Sequence, residues 1–105
     1  MMGRLDNRPE GHLLSRMALA LDGDEQACFD LGVAYSTGAN GVDVDLVQAH
    51  KWFNIAALSG SEEGQYCRAE ISQEMTRHDI AEAQRQARAW MASIARPTAQ
   101  QSAQH

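Results

Sequence analysis

The run ACFDLGVAYSTGANGVDVD, Ala27 to Asp45, followed by Ala49, Trp52-Phe53 and Ala56-Ala57, decides how this chain folds. Ala27, Leu31 and Tyr35 stand four residues apart and so line one face of a helix spanning about Glu25 to Thr37. Gly38 ends that helix, and a turn-rich loop carries the chain to Asp45 with Val42 as its apolar anchor. From about Leu46 to Leu58, Ala49, Trp52, Phe53, Ala56 and Ala57 set large side chains among small ones, a pattern suited to close helix packing. Two helical patterns across a glycine-punctuated loop form an αα-hairpin signature. None of these residues forms a reaction centre, so the stretch reads as scaffolding for binding.

The rest of the chain extends the same logic. At 105 residues it has the length of one small domain with a modest core. Helix formers dominate, and the only prolines, Pro9 and Pro97, lie outside the periodic region. Residues 1–9 read as a flexible lead-in, and Pro9 suits the start of a helix running to about Leu21. Leu13, Leu14, Met17, Ala18 and Leu21 are its apolar stripe. Gly23 can close that helix, and Asp24 can cap the next. Gly32 costs about 1 kcal/mol against Ala inside a helix, a cost that signals the close approach of another backbone. Asp45 is placed to cap the following helix, with Gln48 completing a capping box. Gly60 closes that helix, and Ser61 opens another that reaches about Met75. Thr76, with Asp79 three residues on, starts the last helix, to about Ala95. Its seam is Ile80, Ala83, Ala87, Trp90 and Ile94, with Glu82 and Arg85 as a surface pair. Pro97 stops the helix, and residues 97–105 read as a disordered tail.

A weak internal repeat is present. Gly23-Asp24-Glu25-Gln26-Ala27 matches Gly60-Ser61-Glu62-Glu63-Gly64 at an offset of 37, which also pairs Phe29 with Tyr66 and Gly32 with Ala69.

The formal charge is −5, which argues against general nucleic-acid binding. It is concentrated in residues 22–70, where nine acids face only Lys51 and Arg68. Such a middle favours a basic partner, although a solvated surface is the plainer reading. Cys28 and Cys67 lie in helical segments and read as buried free thiols rather than a disulfide framework. No stretch approaches a membrane span, and the polar start lacks an apolar signal core, so the chain as given reads as cytoplasmic.

Several chemistries find no support. Asp43 and Asp45 lack the spacing of a calcium loop, and the histidines have no i, i+4 pair for zinc. No nucleophile elbow, phosphate loop or dinucleotide fingerprint occurs. Neither catalytic residues nor a cofactor or metal are expected.

Taken with their spacing, Ala27, Leu31-Gly32, Tyr35, Gly38, Gly41-Val42, Asp45, Ala49, Trp52, Ala56-Ala57 and Gly60 resemble the Sel-one-like repeat, a relative of the tetratricopeptide repeat. Residues 61–95 look like a second, divergent repeat with Arg68-Ala69 in place of Leu-Gly, and 10–22 like the closing helix of a preceding one. The run Ala81 to Trp90 resembles the terminal segments of bacterial members. The resemblance implies an all-α fold: a short right-handed α-solenoid of antiparallel helix hairpins, about five helices in a domain over residues 10–96. It also implies protein binding, commonly as an adaptor or regulator, with no catalytic residues.

Mapped onto this chain, the tetratricopeptide pattern turns Gln26, Phe29, Val33 and Thr37 toward the concave side, with Glu63, Tyr66, Glu70 and Glu74 as their counterparts. Phe29, Val33, Tyr66, Glu70, Gln26 and Glu63 are therefore the expected partner-binding set, with Phe29 and Tyr66 as anchors rimmed by acids. The competing reading packs both rings between helices. A different class of function is self-association, a homodimer covering the exposed end of the stack through Leu14 or Leu19. A third is a small regulator of a bacterial signalling or envelope system.

Overall fold

The computed structural model describes residue 20 and residues 24–103, with residues 40 and 95–103 described by their backbone alone. Four α-helices run through them: α1 (Glu25–Thr37), α2 (Leu46–Leu58), α3 (Glu62–Ser72) and α4 (Arg77–Ala103). A 3-10 turn, Ala39–Gly41, joins α1 to α2, and no strand occurs among the described residues. The fold is the expected all-α one. The helix expected at 10–21, with Leu14 and Leu19, lies outside the described residues except for Ala20, which is buried in the core.

Each helix begins where its local chemistry places a cap. Asp24 accepts from the backbone N–H of Gln26 at 2.9 Å and of Ala27 at 3.2 Å. Asp45 accepts from Gln48 at 3.1 Å, Ser61 from Gly64 at 2.9 Å and Thr76 from Asp79 at 3.0 Å. The capping box expected at α2 is only half made. The Asp45 N–H donates instead to the Tyr35 carbonyl at 2.9 Å, and the Gln48 amide donates to Gln86 on α4 at 3.0 Å. The loop's return to α1 has already satisfied the donor that Gln48 would have served.

The helix ends depart further from expectation. Gly38 does terminate α1 in the left-handed region, at φ 82°, with its N–H on the Ala34 carbonyl. α3 stops at Ser72 rather than near Met75, because Gln73, Glu74 and Met75 donate to carbonyls three residues back and tighten the last turn. α4 does not stop at Pro97, as expected, but continues to Ala103. Proline removes one i→i−4 bond, to Ser93, yet its fixed φ is itself helical.

α2 is the centre of the architecture. It packs on α1, α3 and α4, while α1 also touches α3, and α3 and α4 scarcely meet. Seven of its thirteen residues are buried: Ala49, His50, Trp52, Phe53, Asn54, Ile55 and Ala56. On the α1 side the Phe53 ring sits over Gly32, where a Cβ would lie 2.5 Å from two ring carbons. Gly32 thus makes room for a side chain, not for the backbone that the sequence suggested. The close backbone approach is at Gly64 of α3, where a Cβ would lie 3.0 Å from both the Ala56 Cβ and the Phe53 carbonyl oxygen.

On the α4 side, Ala83 and Ala87 are fully buried, and Trp90 meets Trp52 edge to face with centroids 4.8 Å apart. Trp52 is therefore core, as its spacing indicates. Lys51 lays its ammonium over the Trp52 ring at 4.5 Å.

Candidate interaction site

Because α1 and α3 lie side by side against α2, their outward faces enclose an open recess of about 370 Å³. Phe29, Glu62, Glu63, Tyr66 and Cys67 line it. Helical spacing explains the α3 wall. Glu62 and Tyr66 stand at i and i+4, as do Glu63 and Cys67, so all four share the side that Gly64 leaves facing away from α2.

The two aromatic rings behave differently. Phe29 is half-buried, packs against the core and tilts onto Phe53 with centroids 5.5 Å apart. Tyr66 is 66% exposed, and no side chain secures it as core. The competing expectation that both rings pack between helices therefore holds for one side of Phe29 and fails for Tyr66.

The acids have both a structural and an electrostatic consequence. Glu62 and Glu63 occupy the first turn of α3, where the helix dipole favours them, and Glu25 does the same on α1. The Glu25 carboxylate lies 3.2 Å from where a Cβ of Gly60 would stand, which brings it to the same end of the pair. The Cys67 thiol is pushed above its ordinary value by burial and then by Glu63 and Glu70. Cys28 is pushed further, to about 11, by burial and by Asp24. Both thiols are free; Cys28 is buried as expected, but Cys67 is only half-buried and belongs to the recess wall.

Of the six residues expected to bind a partner, Phe29, Glu63 and Tyr66 meet at the recess. Gln26, Val33 and Glu70 are not among its lining residues. Gln26 is exposed and donates to Asp30 at 3.0 Å, while Glu70 is exposed further along α3. Val33 is half-buried, and its carbonyl accepts from the hydroxyls of Ser36 and Thr37. Glu62 and Cys67 are the additions, and the i, i+4 spacing to Tyr66 and Glu63 is the signal that points to them.

A second polar cluster lies under α3. Asn54, only 8% exposed, accepts from the Arg68 guanidinium at 2.9 Å, and His50 is 2% exposed nearby. Burial and the Arg68 charge hold the His50 pKa below its ordinary value. This cluster fastens α3 to α2.

A glycine-notched helical hairpin whose second helix receives further helices on its other sides defines a helical-repeat protein, a short α-solenoid. The Sel1 repeat family matches residues 25–61, the segment from α1 to the α3 cap, so this part of the chain is similar to a Sel1 repeat. Sel1 repeats generally mediate interactions between proteins. No curated protein and no solved structure matches the chain. No described helix is long and apolar enough to cross a membrane.

Proposed function

We propose that this chain is an interaction scaffold that holds a protein or peptide partner on the face shared by α1 and α3. One observation carries the reading: an exposed tyrosine stands over an apolar recess, beside a half-buried phenylalanine that the core already holds in place. Half-buried aromatics on a rigid frame contribute area to an interface at little entropic cost. The acids at the mouth of the recess favour a basic segment, in keeping with the charge of residues 22–70.

The test compares capture of partners from native lysate by the wild-type chain, by Glu63→Lys and by Arg88→Ala, whose site is exposed on α4. Glu63→Lys is expected to lose the captured partner, and Arg88→Ala to keep it. Retention of the partner by Glu63→Lys, or loss with both variants, would contradict this assignment of the surface.

A further inference from the structure

We infer that His50 is an acid-sensitive latch beneath α3: a proton taken up there unseats α3 and so releases a partner held at the recess that α3 walls. The release of a partner rests on the binding role proposed above; the unseating of α3 does not.

The placement of His50 follows from the helix period. α2 meets α3 where Phe53, Ala56 and Ala57 face Gly64, and where Asn54 faces Arg68. His50 stands three residues before Phe53 and four before Asn54, so it continues the same stripe along α3. It is 2% exposed, and its Nδ1 is buried without a hydrogen bond to any described residue. Arg68 acts on it from α3, and among the described residues no charged group of α1 or α4 does. On α2 itself, the neighbouring Lys51 turns its ammonium onto Trp52 and Trp90. No described carboxylate offsets a positive imidazole.

Neutral, the ring fills space under α3. Protonated, it is a buried charge beside a guanidinium of the same sign, with a further N–H that needs an acceptor. The acceptor one turn away, Asn54 Oδ1, already receives the Arg68 guanidinium at 2.9 Å. A charged His50 therefore opposes the bond that fastens α3, both by repulsion and by competition for its acceptor. Exposure relieves both, and α3 is the element that can yield: Gly64 is its only buried residue, against seven in α2. While α3 is seated, burial and Arg68 hold the His50 pKa below the ordinary 6.5. Once α3 lifts, the pKa returns toward that value. Seating is thus undisturbed above about pH 6.5 and weakens as pH falls through the seated-state pKa. Glu62, Glu63, Tyr66 and Cys67 ride on α3, so its departure removes that wall of the recess.

The experiment follows the isotopically labelled full chain by NMR from about pH 7.5 to about pH 5, the range in which histidine titrates. It reads the His50 ring signals together with amide exchange, corrected for the intrinsic effect of pH on exchange. Protection of residues 62–72 is expected to be lost in step with His50 protonation, while α4 from Arg77 to Ile94 keeps its protection. His50→Gln is expected to hold α3 protection level over the same range, and Arg68→Met to raise the His50 midpoint. A partner captured at neutral pH is expected to elute from the wild type on acidification and to stay on His50→Gln.

The wild-type titration is decisive even if a variant folds poorly. Loss of protection in α3 and α4 together would mean global acid unfolding and would overturn the latch. So would α3 protection that ignores the His50 titration, or an equal loss in His50→Gln. If α3 responds but capture does not, the release of a partner falls and the latch stands. Failure of the wider binding role shows separately, as unchanged lysate capture by Glu63→Lys.

Discussion

α2 and α3 are neighbours of similar length, yet they are held in place in opposite ways. Seven of the thirteen residues of α2 are buried, whereas of the eleven in α3 only Gly64 is. α2 is clamped by side chains on almost every side, with Phe53 toward α1, Trp52 toward Trp90, and Asn54 toward α3. α3 is held by a near-contact of backbone at Gly64, by its Ser61 cap and by the Arg68–Asn54 bond. A helix attached this way spends little of its surface on folding. Its remaining face carries Glu62, Glu63, Tyr66 and Cys67, which line the recess where we propose that the partner docks.

The sharpest way to break this contrast is to truncate α2. Phe53→Ala removes a 2%-exposed ring that fills the Gly32 notch and supports Phe29. It should cost about 3–5 kcal/mol, the scale for large core aromatics, as measured by denaturant unfolding. In so small a domain that is most or all of the stability.

Gly32→Ala approaches the same notch from the other side. Its Cβ would fall 2.5 Å from the ring, so the overpacking cost of about 1–3 kcal/mol should exceed the roughly 1 kcal/mol gained in helix propensity. Gly64→Ala meets contacts at 3.0 Å and so should cost less than Gly32→Ala, with the propensity gain offsetting much of about 1 kcal/mol of strain. If Gly64→Ala proves the more damaging in the same unfolding assay, the contrast between a clamped α2 and a lightly seated α3 is wrong.

A smaller effect is set by pH. His50 is buried, and its folded-state pKa lies below the ordinary 6.5 because of burial and of Arg68. The unfolded chain therefore takes up a proton near 6.5 that the folded chain resists. The contribution of neutral His50 is present in full above that pH and declines as pH falls below it. Unfolding midpoints should drop on acidification from pH 7 in wild type and drop less in His50→Gln. Equal slopes would show that His50 does not couple protonation to the seating of α3.

The smallest effect should be that of Tyr66→Ala, within about 0.5 kcal/mol, as for surface sites away from packing. Its partner-binding consequence should be large by comparison.

How much of this was legible in the sequence depends on the range of the interaction. Caps were readable at Asp24, Asp45, Ser61 and Thr76, because a side-chain oxygen and a donor two or three residues on suffice. The α4 seam was readable too: Ala83 and Ala87 are fully buried, and Trp90 packs on Trp52. So was the Glu82–Arg85 pair, whose carboxylate is drawn down to about 2 by hydrogen bonds from Arg85 and Gln86.

Readings that depend on tertiary placement fared differently. Gly32 signalled a close approach, but the sequence could not say that a ring, not a backbone, makes it. His50 and Asn54 lie outside the apolar stripe of α2, and only a helix covered on several sides buries them. The recess was half legible. Phe29, Glu63 and Tyr66 followed from the repeat, while Glu62 and Cys67 depend on how Gly64 turns α3 against α2. Gln26, Val33 and Glu70, drawn from the regular repeat pattern, lie outside the residues that line it.

Amide hydrogen exchange of the wild-type chain, with and without a partner captured in the lysate experiment, tests the central claim most directly. Partner-dependent protection is expected at residues 62–67 of α3 and around Phe29 of α1, with exchange across α4 from Arg77 to Ile94 unchanged. Protection confined to α4, with α1 and α3 unaltered, would contradict it.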